Sequence, residues 1–376
     1  MTYQETSINQ CFKDLTDPRV LGRSQYYLSD ILTIVLCAVI SGADGFNDIE
    51  MFARCKEPFF RTFLELPNGI PSHDTINRVM SMLSPDEFSK CFADWVKSLS
   101  KRISGIIAID GKTLRNSFND AESRDCLHMV SAWSVENSLV LGQVRTSEKS
   151  NEITAIPMLL TLLDIENCVV TIDAMGCQTE IAQKILDGGG DYVLGLKGNQ
   201  GNSHEAVKLL FKWEMENNFS GVIHSTFSEV EKDHGRLETR SVFSIGKLDE
   251  IDGLGLEKWP GLKSVTLVES TRELNGKSTV EHRYYLSSLC ADAERIGKAV
   301  RGHWGIENSL HWVLDVAFNE DKARNRKDHS AANMTIIRHM AVNIVKNDKS
   351  SKTSIRGKRL KAGWDDKYLL KLVSPV

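Results

Sequence analysis

The chain has 376 residues and a formal net charge of −4, so it exceeds one average domain and any nucleic-acid surface must be local. Its longest apolar run, Ile31–Ile40 interrupted by Thr33, is too short to cross a bilayer, and the N-terminal MTYQETSINQ has neither a basic region nor a signal core. Eight cysteines without a CxxC pair argue against a disulfide or zinc framework and for a reducing cytoplasm, where several sit as small buried hydrophobes.

Residues 1–95 read as an all-helical domain. Ser29 or Asp30 is placed to cap a helix through Val39, and Asp48 another through Leu64. Ser72 caps a third, with Ile76, Val79, Met80 and Leu83 on one face and His73, Asn77 and Arg78 on the other. The turn Pro67-Asn68-Gly69 before it leaves two readings open: a helix-turn-helix reader of DNA, or a helical packing domain.

From about residue 104 the period changes to that of a mixed α/β layer. Ile106–Thr113, Leu127–Val135 and Leu139–Thr146 read as strands, the last two joined as a hairpin at Glu136-Asn137-Ser138. A helix over Glu152–Leu163, a strand rising to Asp173, a helix over Gln178–Leu186 and a strand over Tyr192–Leu196 follow. In this order the first and fourth strands can lie side by side. Residues 222–290 return to alternation and read as an inserted antiparallel β-region. The core, 104–221, then resumes over 291–347 with a long helix from Ala291 or Asp292 to about Val316. Ile296, Val300, Trp304 and Leu314 face inward on it, and a last helix covers about Ala331–Lys346. From Lys346 to Val376 there are nine Lys or Arg against three Asp, and the segment 348–376 reads as a basic tail, mobile in its first half.

Two buried strands each end on an acid: IIAIDGKT delivers Asp110 and CVVTIDAM delivers Asp173. Carboxylates brought close together repel unless a cation lies between them, and hard oxygen ligands suit Mg²⁺ or Mn²⁺. A third acid, Glu307, sits amid Trp304, Ile306, Leu310 and Trp312, where burial is costly without a partner. Spacing alone leaves Glu294, Asp315, Glu320 and Asp321 as rivals, and leaves Glu307 the option of pairing with Arg301 or His311 in a helical core. Three carboxylates around two divalent ions serve phosphoryl transfer. Lys112, Arg115, Lys197, Arg301 and His303 are the neighbouring candidates for phosphate contact. His234, Arg236 and Arg240 are further candidates, although Gly235 with Arg236 and Glu238 also reads as a tight turn beside a solvated ion pair.

The segments AIDGKTLRNS (108–117), VVTIDAMGCQ (169–178), YVLGLKGNQ (192–200), HGRLETR (234–240) and HWGIENSLHWVLDVAFNED (303–321) resemble DDE-type insertion-sequence transposases. The likeness is greatest to the H-repeat-associated proteins of Rhs elements, and with DPRVLGRSQYYLSDIL in the leader it spans nearly the whole chain. The resemblance implies an RNase H-like mixed sheet flanked by helices, with a β-rich insertion before the last acid. It implies Mg²⁺-dependent cutting of double-stranded DNA at element ends and joining of the freed 3′-hydroxyl to target DNA, by a homo-oligomer assembled on DNA. It places the acidic triad on Asp110, Asp173 and Glu307. It also exposes a departure: a Tyr, an Arg and a Lys often surround that Glu, and Val300, His303 and Leu314 occupy their places. Rival readings are an RNase H-like nuclease without strand transfer and a catalytically lapsed DNA-binding remnant.

Overall fold

The computed structural model describes residues 12, 14–20, 22, 24–99, 103–117, 126–146, 152–233, 236–251, 254–274 and 277–374. Among them nine strands form one sheet: β1 (Gly105–Thr113), β2 (His128–Ser134), β3 (Leu139–Thr146), β4 (Cys168–Ile172), β5 (Asp191–Leu196), β6 (His224–Asp233), β7 (Arg236–Gly246), β8 (Ser264–Leu274) and β9 (Lys277–Ser287). Their order is β3-β2-β1-β4-β5-β9-β8-β7-β6. β1, β4 and β5 run parallel and the other pairings are antiparallel. The first and fourth strands are neighbours, as their order allows, and the β-region is antiparallel. That region also continues the same sheet, because β9 pairs with β5 from Val193–Ser287 to Leu196–Tyr284.

The helices are α1 (Leu28–Ile40), α2 (Phe46–Cys55), α3 (Glu57–Phe60), α4 (His73–Met82), α5 (Pro85–Leu99), α6 (Glu152–Leu162), α7 (Thr179–Asp187) and α8 (Gly201–Glu216). After the β-region come α9 (Ala293–Ile306), α10 (Trp312–Ala317), α11 (Ser330–Asn347), α12 (Ile355–Trp364) and α13 (Asp366–Val373). Side chains alternate across a strand, and this sorts the core into two faces. Val169, Val193, Val242 and Val268 pack with Ala293, Ile296, Ala299 and Val300 of α9, whereas Val170 and Ile172 join the core that contains Ile156, Leu159, Ile181 and Ile185. Gly302 brings α9 close to the sheet, since a Cβ there would lie 3.1 Å from Ile106 Cδ1.

α11 is buried on nearly every side, so its polar residues need partners. Asn333 Nδ2 donates to the carbonyls of Met80 (2.8 Å) and Leu83 (3.0 Å), satisfying the C-terminal end of α4. Asn343 accepts from the Val140 N–H (2.8 Å) and donates to the Val140 carbonyl (2.9 Å), covering the edge strand β3. The helical leader and the sheet are thereby joined through one helix.

Local chemistry explains where elements differ from the sequence expectation. α1 starts before Asp30, whose buried carboxylate accepts from the Leu66 N–H (3.3 Å) instead of capping. Asp48 does serve the start of α2, accepting from the Gly45 N–H (3.1 Å), but the helix stops at Cys55. Pro58 lies in the first turn of α3 and has no N–H to extend α2's ladder. Ser72 caps α4 as expected, and Ile76, Val79, Met80 and Leu83 are buried. Of the opposite face, Arg78 is exposed, His73 is tied to Glu50 (2.6 Å) and Asn77 accepts from Ser330 (3.1 Å). Trp304, expected inward, is 41% exposed.

The expected mobile tail is instead two packed helices. Ser354 caps α12, Asp365 caps α13, and two cations are drawn inward to helix C-termini. Lys358 Nζ donates to the carbonyls of Val345 (3.1 Å) and Asp348 (2.6 Å); Arg359 donates to the Val39 carbonyl (2.8 Å) and stacks 4.0 Å over Phe318.

Replacing Asn343 with Leu leaves both Val140 backbone groups buried and unpaired. Urea unfolding is expected to show a loss of about 2–3 kcal/mol. A loss below about 0.5 kcal/mol would mean that the edge of β3 finds water or another partner.

Candidate metal centre

In β1 and β4 Ile109 lies opposite Ile172, so the residues that follow, Asp110 within β1 and Asp173 just past β4, stand at the same level. Parity sends both toward α9: Ile106 packs on that face, and Thr171 Oγ1 lies 3.1 Å from His303 Nδ1 of α9. Asp173 stands just past the end of β4, exposed, its Oδ1 accepting from the N–H groups of Met175 (2.9 Å) and Gly176 (3.4 Å). Behind Asp110, Gly111 is required by packing. A Cβ there would overlap the ring of His128 and the carboxylate of Glu152, a buried pair joined at 2.6 Å.

Between α9 and α10 the helix widens into one π turn, Glu307–His311. Such a turn disturbs the backbone ladder and is common at functional sites. Lys346 of α11 donates to the Ser309 carbonyl (3.1 Å) and lies 4.2 Å over the Trp133 ring; burial lowers its pKa to about 8. The turn places Glu307 and His311 together, with His311 Nδ1 3.2 Å from Glu307 Oε2 and 3.6 Å from Asp110 Oδ2. One ligand atom each from Asp110, Glu307 and His311 falls within 4.8 Å of the others. Asp173 joins Asp110 and Glu307 in lining a cleft of about 400 Å³.

Burial lifts the Asp110 pKa to about 6; Asp173 and Glu152 add to the rise, while His311 and the Gly111 N–H oppose it. Glu307 is held below the usual carboxylate value by its hydrogen bond with His311. Burial also lowers His303, favouring a neutral ring. Two carboxylates and an imidazole at this separation, with a third carboxylate on the same cleft, fit a divalent cation, which would offset the charge that burial penalises at Asp110.

The rival acids are otherwise engaged. Lys112 Nζ lies 2.6 Å from Asp315, 3.0 Å from Glu320 and 3.3 Å from Asp321, and Glu294 pairs with Lys298 at 2.6 Å. Lys112, expected to touch phosphate, therefore carries an internal charge cluster with its side chain only 12% exposed. The other expected contacts are scattered. Arg115 is exposed beside Asp321 (3.4 Å), Lys197 is exposed on the cleft, and His303 lines the cleft tied to Thr171. Arg240 is enclosed by Glu229 (3.0 Å), Glu231 (3.1 Å) and Glu238 (2.9 Å), and Arg301 reaches Glu231 at 3.3 Å. His234 lies outside the described residues, as does the side chain of Arg236. From sequence, His311 figures only as a partner for Glu307; its i, i+4 spacing from that acid is the signal that could mark it as a candidate ligand.

The mixed sheet with acids at one level on adjacent parallel strands defines a class, and comparison with known proteins supplies its family. The model for the Transposase DDE domain matches residues 101–344, and that for the DDE_Tnp_1-associated domain matches residues 9–96. The chain belongs to the DDE transposase family. It is similar to the "H repeat-associated putative transposase YhhI" of Escherichia coli K12, 43% identical over 365 residues that cover 96% of each chain. It is also 43% identical to the "Putative transposase YncI" of Escherichia coli O157:H7, covering 94% of this chain and 91% of that one. A solved piggyBac transposase synaptic complex covers 98% of this chain at a TM-score of 0.44 and 10% identity, too slight a likeness to argue from.

Two measurements probe this electrostatic arrangement. Lys112→Met strands Glu320, whose side chain is 1% exposed, with Arg338 at 3.8 Å as its remaining cation. Urea unfolding is expected to show a loss of about 3–5 kcal/mol. Unchanged stability with weakened DNA binding would return Lys112 to a phosphate-contacting role. The second concerns pH. With a folded-state pKa of about 6, Asp110 holds its proton more tightly in the fold than in the unfolded chain. Its favourable contribution is present below the unfolded pKa and is lost as pH rises through about 6. In metal-free protein, Asp110→Asn is expected to stabilise by about 1–3 kcal/mol near pH ~8 and little near pH ~4. Equal effects on the melting temperature at both values would show that burial does not disfavour this charge.

Proposed function

We propose that this chain is an active DNA transposase with an RNase H-like core, cutting at its element's ends and transferring the freed 3′-hydroxyl into target DNA. The carrying observation is the common level of Asp110 and Asp173 on adjacent parallel strands, with Glu307 across the same cleft. Asp110, Asp173 and Glu307, assisted by His311, would hold Mg²⁺, with Mn²⁺ able to substitute. Bound there, the ions supply activation of the attacking oxygen and stabilisation of the leaving one.

The chain's own groups set the remaining geometry. Backbone N–H groups of Met175 and Gly176 fix the Asp173 carboxylate, and the π turn holds Glu307 over Asp110. Lys197 stands where a phosphate would enter the cleft. The helical segment 1–95 would recognise ends, the region 222–290 and the segment 348–376 would complete the catalytic body, and pairing of two ends calls for a homo-oligomer on double-stranded DNA in the cytoplasm. Among the described residues no helix is long and apolar enough to cross a membrane.

The test is cleavage and joining of DNA carrying the element's own ends, with Mg²⁺ or Mn²⁺, wild type beside Asp173→Ala. Metal-dependent cleavage and joining by wild type is expected, falling at least about a hundredfold in the mutant. Cleavage without joining would replace this reading with the nuclease. Firm DNA binding with no reaction would replace it with the lapsed remnant.

A further inference from the structure

We propose that Arg283 of β9 is the cation that receives a backbone phosphate of the DNA strand lying in the cleft, an assignment that rests on the transposase reading above. The cleft is lined by the carboxylates of Asp110, Asp173, Glu307 and Glu281, and among the described residues Lys197 and Arg283 are its Lys and Arg. A polyanion brought against four acids needs cations close beside them. α9 and α10 do not supply one: Val300 and Leu314 are apolar and buried, and His303 is a half-buried ring tied to Thr171, its pKa lowered by desolvation.

Arg283 is built for the task. Its Nε lies 2.8 Å from Glu281 Oε1 and its Nη2 3.0 Å from Glu281 Oε2, and the guanidinium sits 4.8 Å from the centroid of Trp304. Two of five N–H groups thus face Glu281 and the Tyr285 hydroxyl is a further hydrogen-bond partner, so the N–H groups that remain can meet phosphate. Stacking on Trp304 fixes the plane before substrate arrives, so less side-chain freedom is lost on binding. Arg240 and Arg301 differ: the first is enclosed by three carboxylates and the second is directed to Glu231. Glu281, whose side chain is 58% exposed, competes with the phosphate for the same guanidinium. The antiparallel extension of the sheet therefore forms one wall of the catalytic cleft.

The competition supplies a test whose two arms have opposite signs. Binding of a fluorescent duplex carrying the element's end is measured across a range of salt, with Ca²⁺ in place of Mg²⁺ so that binding is read without cleavage. Arg283→Ala is expected to weaken binding and reduce the slope of log affinity against log salt by about 0.9, the share of one phosphate contact. Glu281→Gln is expected to tighten binding severalfold. The proposal is overturned if Arg283→Ala keeps the wild-type slope, or if Glu281→Gln binds no more tightly than wild type. Should Arg283→Ala fail to fold, Glu281→Gln alters only an exposed side chain and still decides the matter. Loss of the slope in a protein that cleaves nothing would sink the transposase reading and leave the phosphate contact standing. Normal cleavage with an unchanged slope would do the reverse.

Discussion

The parallel pairing of β1 with β4 is the constraint on which the site depends. Its register sets Asp110 and Asp173 at one level, and strand parity aims both at the face covered by α9. A slip of one residue would turn one acid toward the opposite core, where Ile156 and Ile181 pack, and the pair would no longer share a cleft. Register is therefore fixed by the same alternation that buries Val169 under α9 and Val170 against the other layer. The core and the site are specified by one pattern.

A second group of interactions keeps the third acid in place. Glu307 belongs to a turn that a regular helix would not make, and the carbonyl of Ser309 is taken up by Lys346 from α11. Lys112, two residues beyond Asp110 on the same strand, ties β1 to Asp315, Glu320 and Asp321 just past the π turn. Arg338 of α11 meets Glu320 from the far side at 3.8 Å. The position of Glu307 thus depends on charges buried around it as much as on the helix that carries it. Partnered buried charges of this kind are costly to break, which makes them effective at holding a geometry.

Local pattern made the strands and their order readable from sequence, with Asp173 just past β4 and Asp110 inside a β1 that runs on to Thr113, because alternation and apolar runs are properties of neighbouring residues. The cap at Ser72 and the inward face Ile76, Val79 and Met80 were readable for the same reason. What escaped were long-range pairings. Lys112 follows an acid as a phosphate contact would, yet its partners lie some two hundred residues away. Lys358 and Arg359 look like a solvated basic run until α1 and α11 present their terminal carbonyls. Glu307 is likewise set apart from Asp315, Glu320 and Asp321 by a distant residue, since Lys112 pairs with the other three. His311 carried a local signal, spacing from Glu307, but its approach to Asp110 is a tertiary fact.

The distribution of cations bears on how an acidic chain can grip DNA. With a net charge of −4 the molecule offers no general attraction to a polyanion. Many of its Lys and Arg are turned inward or neutralised: Lys112, Arg338, Lys358 and Arg359 in the interior, Arg240 among three glutamates. What remains near the acids is a small number of placed cations, Lys197 at the end of β5 and Arg283 on the neighbouring strand β9, both lining the cleft that contains the carboxylates. Such an arrangement favours a strand that enters in one position over DNA held loosely along the surface. Phosphate contacts of this sort position the substrate and carry little sequence information. Under the transposase reading, selection of the element's ends would fall to parts of the chain away from the cleft, such as α4, whose Arg78 faces solvent while Asn77 and Asn333 fasten it to α11.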